Sequence, residues 1–215
     1  MNPFYLKGAI LLLVLSIAVV TGSLNYRSMD IGTKIFYYLT ILGLVSESLA
    51  YYAAFRYTDN LPVYNISSII ELFLLCLYFN YTIAIFRKRN LGWIIAVFSL
   101  IAGIINNFFI QSLYGITTNF LFYQAFVTIT LSMISLSTFI KMDDPRQAKK
   151  EVHFWLPVIL IFSWSFTYLL FSLIAFYEKN VPAGVVLLLF LVSISTNMAI
   201  GLVFFFYPKL NAHVR

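Results

Sequence analysis

Charge is what this chain lacks. Only 10% of its 215 residues are Asp, Glu, Lys or Arg, against roughly 25% in an ordinary soluble domain. With a mean hydropathy of +0.90 and 61% hydrophobic residues, a water-soluble core is excluded. No charged residue occurs at all between Asn90 and Ile140. That stretch is too long for one membrane span of about 20 residues, so it must fold back on itself. The turn falls at 111–118, where Gly115 and several small polar residues interrupt the apolar pattern.

Cysteine and histidine are nearly absent too. A single cysteine, Cys76, excludes an intrachain disulfide and reads as packing in the middle of a span. The two histidines, His153 and His213, lie near helix ends, too few and too scattered for a Cys/His metal centre. No glycine-rich phosphate loop and no basic-aromatic surface is present, so neither a cofactor nor a nucleic-acid partner is expected. The net charge of +6 is spread over short loops, which membrane orientation explains.

What is present is seven apolar segments, at about 6–24, 34–55, 63–86, 91–110, 118–140, 154–176 and 183–206. They predict an all-α polytopic membrane protein, a single seven-helix transmembrane domain over residues 1–215 in contact with the lipid bilayer. Pro62, Pro157 and Pro182 are placed before or within the first turn of their helices, where a missing N–H costs little. Alternate loops carry Arg27 and Lys34, then Arg87, Lys88 and Arg89, then Lys141, Arg146, Lys149 and Lys150, then Lys209 and Arg215. The other side carries Lys7, Arg56 and Lys179. The positive-inside rule then puts the N-terminus outside and the C-terminus in the cytoplasm of a cell membrane, the inner one in a bacterium. Lys7, the run 8–20 and Thr21-Gly22-Ser23 also have the outline of a cleaved signal. Cleavage would leave Arg27 and Lys34 outside, against the pattern of the other spans, so this segment is read as a helix.

Two acids sit inside these spans. Glu47 lies eight residues before Phe55 and Glu71 eight residues after Val63, about 12 Å below the outer ends of adjoining antiparallel helices. Burying a carboxylate in hydrocarbon costs roughly 2.5–3.5 kcal/mol on insertion scales, and such residues usually mark sites. Other polar residues share that outer half: Asn106 and Asn107, Gln124, and Ser68 one turn from Glu71. Tyr51, one turn beyond Glu47, is placed to donate its hydroxyl to that carboxylate. Gly43, Glu47, Ala50 and Ala54 form a small-residue stripe suited to close helix approach. Together Glu47, Glu71, Tyr51, Ser68, Asn106, Asn107 and Gln124 predict a polar pocket opening outward, for a proton, cation or small ligand. Facing carboxylates at one level would share a proton or bind a cation or amine. Taken singly, Asn106, Asn107, Gln124 and Asn197 also suit plain interhelical hydrogen bonding. Thr128, Ser132 and Ser135 suit packing, and Asn65 and Asn80, though in sequons, lie too deep for glycans.

The cytoplasmic connection 141–153 mixes both charge signs and leads into His153-Phe-Trp155. It reads as a solvated loop with an interfacial anchor, and alternatively as a docking surface for a cytoplasmic partner.

The run Pro62-Val-Tyr-Asn-Ile-Ser-Ser-Ile-Ile-Glu71-Leu-Phe, with His153-Phe-Trp155 opening a later span, resembles small bacterial seven-helix membrane proteins of unassigned function. It is also similar to the seven-helix sensory regions of some histidine kinases. The resemblance implies a sensor or accessory module that signals through a separate cytoplasmic partner; a homo-oligomer is compatible with it. A retinal protein is excluded, because 183–206 holds no lysine. Seven-helix zinc hydrolases are excluded by the shortage of histidine. Two alternatives use the same acids: a lysoplasmalogenase-like intramembrane lipid enzyme, with the carboxylates as acid and base, and a proton- or ion-coupled carrier.

Overall fold

The computed structural model describes residues 3–140, 150–177 and 180–210. The helices are α1 (Pro3–Asn25), α2 (Ile31–Tyr57), α3 (Leu61–Thr82), α4 (Ala84–Arg89), α5 (Leu91–Ile105), α6 (Thr118–Ile140), α7 (Val152–Tyr177) and α8 (Ala183–Leu210). A 3-10 turn at Tyr26–Ser28 follows α1, and a π turn at Asn106–Ile110 extends α5. No strand occurs among the described residues. Seven helices are long and apolar enough to cross a membrane, all but the six-residue α4. The chain is therefore a multi-pass, all-helical membrane protein.

One end of the bundle is basic. It carries Arg27, Lys34, the Arg87-Lys88-Arg89 run that closes α4, Lys150 and Lys209. The opposite, sparse end carries the links 58–60 and 111–117. Most observed spans run a few residues past the expected ends, and one is shorter. The third span stops at Thr82 rather than continuing to residue 86, because Ile83 turns to an extended conformation (φ −94°, ψ 117°). This bend releases Ala84–Arg89 as a separate helix, ended by Asn90 in the left-handed region at φ 52°. Pro157 is a second correction. Since α7 starts at Val152, this proline lies inside the helix rather than in its first turn. Its missing N–H leaves the His153 carbonyl without its helical donor.

Six helices make a closed ring. Around it α1 packs on α2, α2 on α3, α3 on α6, α6 on α7, α7 on α8, and α8 back on α1. The closing α1–α8 contact is close, with a Cβ on Gly201 only 3.4 Å from Ala18, and Asn25 Nδ2 donates across it to the Phe204 carbonyl at 2.9 Å. α5 stands outside the ring against α3. Its side away from α3 exposes Ile94, Val97, Phe98, Ile101 and Ile105, the apolar surface a lipid-facing helix needs.

Gly92 sets how close α5 comes. A Cβ there would collide with the Asn80 Cβ and lie 2.6 Å from the Cys76 carbonyl oxygen. The Gly92 N–H donates to Asn80 Oδ1 at 3.1 Å. Further along, the Ser99 and Tyr123 hydroxyls bond at 2.9 Å and tie α5 to α6. Gly92→Ala must push α5 off α3, and overpacking of this kind costs about 1–3 kcal/mol. Equilibrium unfolding in detergent should register that loss; an unchanged midpoint would show that α5 is not seated on Asn80.

Candidate functional site

The ring encloses a cavity of about 640 Å³ that begins near Lys7, Asn60 and Thr117 at the sparse end and reaches down to Phe36, Leu160 and Ile200. Every ring helix lines it; α5 contributes nothing. Its walls are mostly apolar, with Leu15, Leu42, Phe120, Phe171 and Leu189 among them. Mostly apolar walls with a few placed polar groups are the usual make-up of a small-molecule site, and the volume lies in the usual range.

Glu47 and Glu71 both line this cavity. Both are half-buried. They do not form a bonded pair: no hydrogen bond joins them among the described residues. Glu47 Oε2 accepts from the Tyr64 hydroxyl of α3 at 2.9 Å. Tyr64 stands seven residues, about two turns, closer to the sparse end than Glu71. Counted from the observed helix ends, Glu47 lies ten residues before Tyr57 and Glu71 ten residues after Leu61, but each carboxylate has its own neighbour.

Glu71 instead has Gln124 of α6 beside it. Gln124 is 0% exposed; its Nε2 lies towards Glu71 without closing a well-formed hydrogen bond, and its Oε1 has no partner. A buried amide without partners forfeits roughly 1–3 kcal/mol per group. On α8, the Thr196 hydroxyl in the cavity wall is buried and unpartnered as well. Ser68 lines the cavity while its hydroxyl donates to the Asn65 carbonyl at 2.9 Å. Asn197 lines it too, its amide donating to the Ser193 carbonyl at 2.9 Å.

Tyr51 also lines the cavity, but the donor to Glu47 is Tyr64. The Tyr51 ring packs where a Cβ on Gly8 of α1 would stand. A Cβ on Gly43 of the small-residue stripe would stand 3.7 Å from Leu15 of α1. Lys7, the only cation among the lining residues, lies over the Phe190 ring at 5.8 Å.

Asn106 and Asn107 are not in the cavity wall. They belong to a buried network whose centre is Asn65, itself a lining residue near the cavity rim. The Asn65 amide donates to the carbonyls of Leu113 and Gly115 at 2.7 and 2.8 Å, and its Oδ1 accepts from Thr117 Oγ1 at 2.9 Å. Asn107 Nδ2 donates to the Asn65 carbonyl at 2.8 Å, and Asn106 Nδ2 to Asn107 Oδ1 and Gln111 Oε1 at 3.0 and 3.1 Å. The π turn that carries both asparagines aims them at α3 and the 111–117 link. Their role is to hold that link over the cavity rim. Residue counts give depth but not rotation, and a π turn shifts rotation beyond it, which is why sequence spacing put them in the pocket.

A second polar cluster closes the basic end of the ring. Asp30 caps α2, accepting from Thr33 N at 3.1 Å and Thr33 Oγ1 at 2.7 Å. Tyr207 of α8 bonds Asp30 Oδ2 at 3.2 Å, His153 Nε2 of α7 lies 3.2 Å from the same oxygen, and the other ring nitrogen meets the Tyr78 hydroxyl of α3 at 3.4 Å. Four ring helices thus converge near one carboxylate. Burial alone would push the Asp30 carboxyl up; the hydrogen bond and charge of His153, then the Thr33 donors, outweigh it and hold the group well below the usual carboxylate range. Sequence reading singled out His153 only as a helix-end residue. The signal for this cluster was Asp30 followed three residues later by Thr33, a helix N-cap pattern. The proposed docking segment lies largely at 141–149, outside the described residues.

No protein-family model matches the chain, and no match is found among curated proteins or solved structures.

Two outcomes follow from the networks. Asn65→Ala strips partners from three groups around the 111–117 link and should destabilise by at least about 2 kcal/mol. Asn65→Asp, which keeps the shape but loses both amide donors, should be no better; a silent pair in an unfolding titration would refute the hub. The Asp30 carboxylate has a depressed folded value, so its stabilisation is complete above the unfolded value of about 3.9 and fades as pH falls below it. Asp30→Asn should remove that acid component from the stability–pH curve between pH 7 and 3, and curves of identical slope would rule Asp30 out.

Proposed function

We propose that this chain is an integral membrane sensor or accessory module whose cavity takes a small ligand or cation from outside the cell. The sparse end then faces outward and the basic end the cytoplasm. Occupancy around Glu47, Glu71 and Gln124 shifts the ring helices, and a separate cytoplasmic partner reads the shift at residues 87–90 and the 141–153 connection. The observation that carries the reading is the buried Gln124, whose Oε1 has no partner in the protein, in the wall of the same cavity as two intramembrane carboxylates. The Asp30 cluster gives a mechanical reason for transmission. It links α2, α3, α7 and α8 at the basic end, so helix displacements at the cavity act on one shared joint. The resemblance to kinase sensory regions points the same way, as an analogy of layout.

The test has two parts. Asn60→Cys should react with a membrane-impermeant maleimide in intact cells and Lys88→Cys only after permeabilisation; buried Cys76 does not compete for the reagent. The reverse pattern refutes the outward cavity. Spin labels at Lys88→Cys and Glu151→Cys, measured by pulsed EPR in nanodiscs, should then change separation when Glu71→Gln is introduced. An unchanged distance distribution would sink the sensor.

A lipid-processing enzyme is the second reading, favoured by apolar walls that suit a hydrocarbon chain beside two carboxylates. It requires turnover of a lysolipid by the purified protein, abolished in Glu71→Gln.

A further inference from the structure

The ligand class can be read from what the cavity offers and what it withholds. It offers acceptors: the Glu47 and Glu71 carboxylates and Gln124 Oε1, which is buried and bonded to nothing in the protein. Among the described lining residues it offers a single counter-charge, Lys7, which sits at the rim over Phe190. An anionic headgroup would meet two carboxylates without a compensating cation and is disfavoured.

A bare metal ion fits poorly too. Among the described residues no group of three His, Cys, Asp or Glu is placed to hold one, and a divalent cation wants six or more oxygens. An ammonium group donates three hydrogen bonds and carries the charge that two carboxylates favour, and Gln124 Oε1 adds a neutral acceptor to them. The rest of the 640 Å³ is walled mainly by leucine and phenylalanine, so the body behind the nitrogen is apolar.

We propose that the cavity binds a primary amine carrying an alkyl or aryl body, with its ammonium among Glu47, Glu71 and Gln124. This rests on the ligand-binding reading above and names its ligand class. The same chemistry has two sources, a soluble lipophilic amine arriving from outside and an amine-headed membrane lipid. Gln124 is the selectivity element: its Oε1 accepts from the ammonium while its Nε2 donates to the Glu71 carboxylate, so binding satisfies both of its idle groups.

The experiment uses the full chain in phosphatidylcholine nanodiscs and reads the thermal unfolding midpoint against octylamine, octanol and octanoate. Octylamine should raise the midpoint in a saturable way, and octanol and octanoate should not. The Glu47→Gln/Glu71→Gln double variant removes the charge and keeps the shape, and should weaken octylamine by about 30-fold or more, the lower end for truncating a buried charge contact. Gln124→Leu leaves both acids in place and should weaken it less. In phosphatidylethanolamine discs a lipid-amine site is already filled and the octylamine shift shrinks; a site for soluble amines responds equally in both lipids.

Octanol or octanoate acting as strongly as octylamine overturns the amine assignment and leaves the ligand-binding cavity standing. An octylamine response that survives in the double variant also overturns it, since the amine would then sit elsewhere. Failure of the sensor reading is seen separately, as spin labels that never move.

Discussion

A polar group carried into hydrocarbon must find a partner inside the protein, and this bundle is organised around how that requirement is met. Around Asn65 it is met fully. One side chain satisfies two carbonyls and a hydroxyl of the 111–117 link, and its backbone accepts from Asn107. Around Asp30 it is met by four helices at once. In the cavity, at Gln124 and Thr196, it is not met within the protein. Thr128 and Ser132, outside the cavity wall, are unpartnered as well, so what sets Gln124 apart is its place in the wall beside Glu71.

The same constraint shapes the ring. Small residues admit the closest approaches, Gly201 against Ala18 and Gly8 against the Tyr51 ring. Where six helices surround a centre that their side chains do not fill, a cavity remains between two tied ends. The asparagine network fastens the 111–117 link at the rim, and the Asp30 cluster joins α2, α3, α7 and α8 at the floor. α5, seated on α3 through Gly92 and Asn80, buttresses the wall from outside and adds nothing to the lining.

Much of this was legible in the residues alone. Hydropathy summed over about 20 positions is a local property, and so all seven spans could be found without knowing their neighbours. The two carboxylates stood out because an acid in a span is costly wherever it points. Less legible was which partner each side chain meets. Tyr51 was the obvious donor to Glu47 from one turn away, yet Tyr64 on the next helix supplies the bond. Asn106 and Asn107 lay at pocket depth but are rotated behind the wall by the π turn. His153, read in the sequence as the start of an interfacial His153-Phe-Trp155 segment, proves to join α7 to Asp30 and Tyr78.

The chain's own residues determined that it crosses a membrane seven times, that its basic loops gather at one end, and that acids lie within two adjacent spans. Each of these follows from transfer energies that add up residue by residue along the strand of sequence. Only the tertiary structure decided that six helices close into a ring with α5 outside, that the two carboxylates line one cavity beside different neighbours, and that Gln124 Oε1 is left without a partner. Those features depend on helix rotation and register, which are set by packing between segments far apart in the chain and have no local signature.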